Sequence, residues 1–297
     1  MPWPTWDQAA VAALVSALVW LVVRLRPSRL TPHIEPAAAE FTLIASLYAV
    51  WRLARMLPLA STHGAIARAH DIASFQGRLH LPSELTLQHF VLAHARLADL
   101  TTKYYAVVHV PALIAFLVWM FYRHRDRYPH WRNGLALVTA CCLVIRFVRV
   151  APPRFLPDLG YVDMGQQYGM SVYAADPTTG VSDQFAAMPS IHVAWAAVVS
   201  FGIVAVSTSR WRWLFLSHVV LTMLVVSATG NHWWMDGIVA IGLLAGSLAI
   251  DTAIRNYFRR RSADSAVTGP ELGPQGLLVG LAEPGQRQRV GDDHLLG

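Results

Sequence analysis

Long apolar runs separated by short polar connections dominate this chain. Seven stand out, near residues 8–23, 40–57, 104–122, 134–150, 190–208, 212–229 and 235–254. Each is continuous rather than alternating, which predicts helices and not barrel strands. Several fall short of the ~20 residues that a full span prefers; charged and aromatic ends that snorkel to the interface make up the difference. The second run holds Arg52 and Arg55 and is the weakest of the seven. Before the third run, Pro82-Ser83-Glu84 marks a helix start with Ser83 as its cap. Residues 84–100 then mix Leu85, Leu87, Phe90, Val91, Leu92 and Leu97 with His89, His94 and Arg96, which predicts a helix lying in the interface. From 262 onward Gly, Pro, Gln and charged residues predominate, as in a disordered tail.

Composition supports a membrane protein. Of 297 residues, 55% are hydrophobic and 14% charged, against about a quarter charged in soluble domains. The mean hydropathy is +0.39. The expected fold is all-α: a polytopic transmembrane helix bundle with a six-helix core, one extra span and an interfacial helix. Its expected organisation is N-terminal spans over 1–57, an outer-face helical connection over 58–103, a membrane bundle carrying the candidate chemistry over 104–255, and a cytoplasmic tail over 262–297. The N-terminal run has its basic residues after it, at Arg24, Arg26 and Arg29, so it reads as a retained anchor rather than a cleaved signal. Cys141 and Cys142 are adjacent, where a bridge would be badly strained, and read as small core residues. No internal repeat is visible.

The net charge of +6 raises nucleic acid as a partner, but the placement of the arginines argues for topology instead. Four connections hold thirteen of the 24 basic residues: Arg24 to Arg29, Arg123 to Arg132, Arg210 and Arg212, and Arg255 to Arg261. All four fall on one side if the seven runs span. The long connection 151–189 carries Arg154 alone, against Asp158, Asp163, Asp176 and Asp183. The excess of arginine on cytoplasmic loops therefore puts the C-terminus in the cytoplasm and 151–189 outside, in a multi-pass protein of the cell membrane.

Two strings at run edges then share one membrane depth. In Met188-Pro189-Ser190-Ile191-His192, proline disfavours helix before it, Ser190 is a good N-cap, and the free N–H groups of the helix start suit an anion beside His192. A capped helix with an interfacial histidine is the plainer reading. In His232-Trp233-Trp234-Met235-Asp236, four-residue spacing puts His232 and Asp236 on one helical face. A carboxylate on one ring nitrogen fixes the tautomer and leaves the other nitrogen nucleophilic. A helix-end cap and a two-ligand metal pair are the alternatives, the latter a weak metal signal.

Arg146, Arg149 and Arg154 approach the outer surface around Pro152-Pro153, and arginine presents a rigid fork of donors to phosphate oxygens. Snorkelling at a helix end competes with this, although the outer side should be poor in arginine. Arg52 and Arg55 lie in the outward half of the second run and supply either further phosphate contacts or a structural ion pair. His109, with Tyr104 and Tyr105, is a lesser candidate, and His218 reads as a bundle histidine.

Pro189-Ser190-Ile191-His192 followed by His232-x-x-x-Asp236 resembles the phosphatidic acid phosphatase type 2 superfamily, which includes the vanadium haloperoxidases. The family's middle motif is Pro-Ser-Gly-His. The bulkier residue here, with Ala151-Pro152-Pro153-Arg154-Phe155-Leu156-Pro157 and Gly160-Tyr161-Val162-Asp163, is similar to the bacterial inositol-phosphotransferase branch related to inositol-phosphorylceramide synthases. The resemblance covers residues 100–255. It implies His232 as nucleophile, Asp236 as its orienter, and His192 as acid toward the leaving group and base toward the acceptor. It also implies Arg154, with Arg149 or Arg146, on the phosphate oxygens, Ser190 and nearby N–H groups as further donors, and no metal or cofactor.

The chain departs from the family pattern in two places. Seven residues separate Arg146 from Arg154, and the proline precedes the arginine, where the family has lysine, six residues, then Arg-Pro. The family's Ser-Arg ahead of the last histidine is Val225-Val226 here, so Arg52 or Arg55 is expected to replace the missing guanidinium. The expected function is phosphoryl transfer on a membrane lipid with a phosphate or phosphodiester head group, at the extracytoplasmic face. The alternative is a non-catalytic transporter or scaffold for an anionic substrate.

Overall fold

The computed structural model describes residues 4–56, 63–168 and 184–267. Residues 1–252 form one compact unit; the second unit, 253–297, is described as far as Val267 and only as helix. Among the described residues there are eleven α-helices and no strand: α1 Trp6–Leu25, α2 Thr31–Arg55, α3 Ala65–Arg78, α4 Glu84–Leu92, α5 Ala95–Val107, α6 His109–Arg123, α7 Tyr128–Ile145, α8 Met164–Gln167, α9 Ile191–Val206, α10 Leu216–Ala228 and α11 Trp234–Val267. This is an all-α polytopic membrane bundle, as the apolar runs predict.

Four helices are long and apolar enough to cross a membrane: α1, α2, the stretch Arg210–Ala228 that ends in α10, and Trp234–Ser262 of α11. The bent pair α5 and α6, broken by 48°, makes a fifth if it counts as one span. The sequence pattern predicts seven. α9 is apolar but only 16 residues long, about 24 Å at 1.5 Å per residue, and α7 is diluted at its start by Tyr128, His130, Arg132 and Asn133. The predicted interfacial helix over 84–100 is two helices. α4 ends at Leu92, and α5 restarts at Ala95 and leads into the bent span. Most of the predicted tail, from 268 on, lies outside the described residues, while α11 continues to Val267.

α9 is the central helix. Its small and β-branched residues Val193, Ala194, Ala196, Ala197, Val198 and Val199 are all buried, against Phe116 of α6, Trp131 of α7, Val226 of α10 and Leu244 of α11. Close approach is needed at Gly202, where a Cβ would come within 2.4 Å of the Phe116 ring. By contrast α1 leaves Leu14, Leu18 and Val22 exposed, which suits contact with lipid.

A polar network links three helices at the start of α7. Arg132 donates to both carboxylate oxygens of Glu40 (3.0 and 2.8 Å), and the Tyr128 hydroxyl joins them at 3.0 Å. Asn133 Nδ2 and His130 Nδ1 each lie 2.7 Å from the carboxylate of Asp251. Intramembrane charges persist when paired in this way. The network pins the end of the bundle that carries the arginine-rich 123–132 connection; the candidate chemistry sits at the other end of α7.

Candidate active site

Four hydrogen bonds draw the distant sequence motifs together. Val150 N donates to Phe185 O (2.9 Å) and Ala187 N to Val150 O (3.1 Å), which lays the end of the arginine motif beside the segment entering α9. Ser190 N donates to Asp236 O (3.1 Å), joining the starts of α9 and α11, and Arg154 N donates to Gly230 O (2.9 Å). Trp233, fully buried, adds its indole N–H to Ala151 O at 3.0 Å. Gly230 makes this crossing possible: its φ is +69°, and a Cβ there would sit 3.4 Å from Arg154 N and 3.0 Å from Gln88 Nε2.

The two imidazoles meet. His192 Nδ1 lies 3.4 Å from His232 Nε2, with ring planes tilted at 62°. His232 Nδ1 lies 2.7 Å from Ala187 O and 3.3 Å from Asp236 Oδ2. A carbonyl oxygen only accepts, so Nδ1 carries the proton and donates, and the Nε2 lone pair faces His192. Asp236 has no exposed surface. Its Oδ2 also accepts Trp233 N at 2.8 Å, and its Oδ1 has no hydrogen-bond partner among the described residues. Ser190 caps α9, accepting Val193 N at 3.4 Å.

Arg146, Arg149 and Arg154 are all buried. Arg68 Nε donates to Arg149 O at 2.6 Å, so α3 holds the chain where Arg149 stands. Arg154 Nη1 donates to the side-chain oxygen of Asn231, the residue before His232, and Arg154 Nε lies 3.3 Å from Asp163 Oδ2. Arg55, at the end of α2 and stacked over Trp51 at 4.8 Å, is near enough for its charge to act on His192. Arg52, half-buried, shares that last turn. His109 packs edge-on against His192 at 4.9 Å between ring centres, and Tyr105 stacks on the same ring at 4.7 Å. His218 lies further along, 2.8 Å from the Tyr104 hydroxyl.

Several contributors carried little sequence signal. The Ala187 carbonyl is a backbone group. Asn231 stands just before the His232 string without being part of it, and Asp163 closes a quoted string that gave it no role. Gln76 and Glu84 reach in from the 58–103 connection: Trp234 N donates to Glu84 Oε1 (3.0 Å) and Met235 N to Gln76 Oε1 (2.9 Å). Burial pushes the Glu84 carboxyl above its ordinary range, with Asp236 adding to the effect. Burial and the neighbouring Glu84 likewise push the Tyr161 hydroxyl up. No group of three or more His, Cys, Asp or Glu side chains suited to a metal ion occurs among the described residues.

Fold and site together describe a polytopic membrane protein with two imidazoles, a buried carboxylate and buried arginines at one end of its bundle. The family model of the PAP2 superfamily matches residues 70–250, and the chain belongs to that superfamily. Members of this superfamily are phosphatases, so the chain stands among enzymes acting on phosphate-bearing substrates. Neither the curated proteins nor the solved structures yield a match.

Proposed function

We propose that this protein transfers the phosphoryl group of a membrane lipid through a covalent phosphohistidine on His232. The observation that carries the reading is the pairing of His232 Nε2 with His192 Nδ1 at 3.4 Å, while Nδ1 of His232 is committed to Ala187 O and Asp236. In the first half-reaction Nε2 attacks phosphorus, the bond to the leaving oxygen breaks, and His192 gives that oxygen a proton. In the second half-reaction His192 removes a proton from the acceptor hydroxyl, whose oxygen attacks phosphorus and frees His232. The phosphorus enters where the two imidazoles now touch, so His192 moves aside as substrate binds. Asp236 stabilises the positive charge that His232 gains. Arg154, Arg149 and Arg146, with Arg55 or Arg52 and the α9 start at Ser190, hold the phosphate oxygens.

The same reading places the site at the extracytoplasmic face and the C-terminus in the cytoplasm. It is supported by the separation along α7 between the arginine-rich 123–132 connection and the buried arginines of the site. Water as acceptor gives a phosphatase. A lipid or polyol hydroxyl gives an inositol-phosphate-type transferase, and Ile191 before His192 together with Gly160-Tyr161-Val162-Asp163 favours that branch. Membership of a phosphatase superfamily favours either over a transporter or scaffold.

The test is incubation of purified protein with labelled phosphatidate, phospholipids and prenyl phosphates, with and without inositol or diacylglycerol, reading products by mass spectrometry. Acid-labile label trapped on the protein and lost in His232→Ala is expected. Turnover that persists in His232→Ala would overturn the nucleophile assignment, and a protein that neither binds vanadate nor traps label would return the transporter or scaffold reading.

A further inference from the structure

We propose that Glu84 and Gln76 are positioning residues that clamp the N-terminus of α11 and so set where His232 and Asp236 stand. This rests on the reading of His232 as nucleophile. Gln76 lies in the last turns of α3 and Glu84 opens α4, and both are only 4% exposed. Polar side chains buried this far are costly unless bonded, and here the bonds converge on one place. Gln76 Nε2 donates to Glu84 Oε1 at 2.7 Å, which joins the two acceptors into a unit. Glu84 Oε1 accepts Trp234 N, and Gln76 Oε1 accepts Met235 N. The Tyr161 hydroxyl lies close enough to Glu84 for that carboxyl group to act on it, and the Trp234 indole donates to Pro82 O at 2.7 Å.

A helix start leaves its first N–H groups without intrahelical partners. At α11 three successive ones are covered by protein: Trp233 N by Asp236 Oδ2, Trp234 N by Glu84 and Met235 N by Gln76. Two consequences follow. This helix end, with a carboxyl group on it, is closed to a substrate phosphate, which is left with the α9 start and the arginines. Asp236 Oδ2 serves both Trp233 N and His232 Nδ1, so a tilt of the first turn changes its grip on the imidazole. The clamp holds that turn from residues 150 and 159 positions away in sequence.

The test uses the full chain in detergent with Glu84→Gln, Glu84→Leu and Gln76→Leu, reading kcat and KM for phosphatidate and the imidazole N–H resonance of His232, assigned by its loss in His232→Asn. Glu84→Gln keeps an oxygen acceptor for the same two donors and should match wild type in both. Glu84→Leu should lower kcat by at least about tenfold, since misplacing a reacting group by about 1 Å can cost ~10²-fold, with KM within a factor of about two, and should move the resonance. Gln76→Leu should do the same more weakly, and it decides the matter if Glu84→Leu does not fold. Folded leucine variants with wild-type kcat and an unmoved resonance would overturn the clamp. Turnover retained in His232→Asn would instead sink the nucleophile assignment. The resonance test stands in that case, and also if phosphatidate is not turned over.

Discussion

The imidazole of His232 is held more closely by the carbonyl oxygen of Ala187, at 2.7 Å, than by the carboxylate of Asp236, at 3.3 Å. The tautomer that frees Nε2 therefore has two anchors, one of them main chain. Where a carboxylate is the sole anchor, its amide analogue costs ~10⁴-fold through the wrong tautomer. Here Asp236→Asn should cost less, about 10²-fold in kcat, because Ala187 still requires a proton on Nδ1. His232→Asn should abolish turnover and covalent labelling. A loss in Asp236→Asn equal to that in His232→Asn would mean that the carbonyl does not fix the ring.

His192 Nδ1 faces His232 Nε2 at 3.4 Å, and the proposed mechanism makes it the acid toward the leaving group. Removing it should cost about 10²- to 10⁴-fold on alkyl phosphates, the usual range for general acid–base catalysis. The loss should shrink on an aryl phosphate such as p-nitrophenyl phosphate, whose leaving oxygen needs no proton. Equal losses of His192→Ala on both substrates, measured as kcat/KM, would assign His192 another role.

Arg154 is tied to Asn231 on one side and Asp163 on the other. Lysine keeps the charge but not the planar fork. Arg154→Lys should therefore lower kcat/KM by about 10²-fold, in the range of a lost transition-state donor. Asn231→Ala, which leaves the guanidinium in place but frees its direction, should lower it less. Isothermal titration with vanadate should follow the same order.

Arg55, at the end of α2, lies close enough to His192 for its charge to act on that imidazole. Arg55→Ala should weaken phosphate release by about tenfold or more, and Arg52→Ala should do so instead if Arg52 supplies the contact. If both alanine variants release phosphate at the wild-type rate, neither arginine replaces the guanidinium absent at Val226.

Burial raises the Glu84 carboxyl above its ordinary value of 4.5. A group with a raised folded-state pKa contributes stability that is fully present below its unfolded value and is lost as pH rises through the folded one. Wild-type protein should thus lose thermal stability relative to Glu84→Gln as pH climbs from 4.5, with the gap levelling off once Glu84 is ionised. Parallel melting curves for the two proteins across that window would place Glu84 in a solvated setting.

The apolar runs, the arginine asymmetry and the two histidine strings are local facts, and the sequence by itself determined them: an all-helical membrane bundle, Ser83 and Ser190 as helix caps, and the four-residue spacing of His232 and Asp236. Span count was less legible, because α7 and α9 are short or polar-ended helices whose surroundings, not their length, keep them in the bundle. Only the tertiary structure decided what stands beside the imidazoles. Ala187 O, Asn231, Gln76 and Glu84 act through hydrogen bonds to partners far along the chain or through main-chain atoms. Such bonds leave no periodicity or spacing to read, since direction and distance between remote groups arise only when the helices pack.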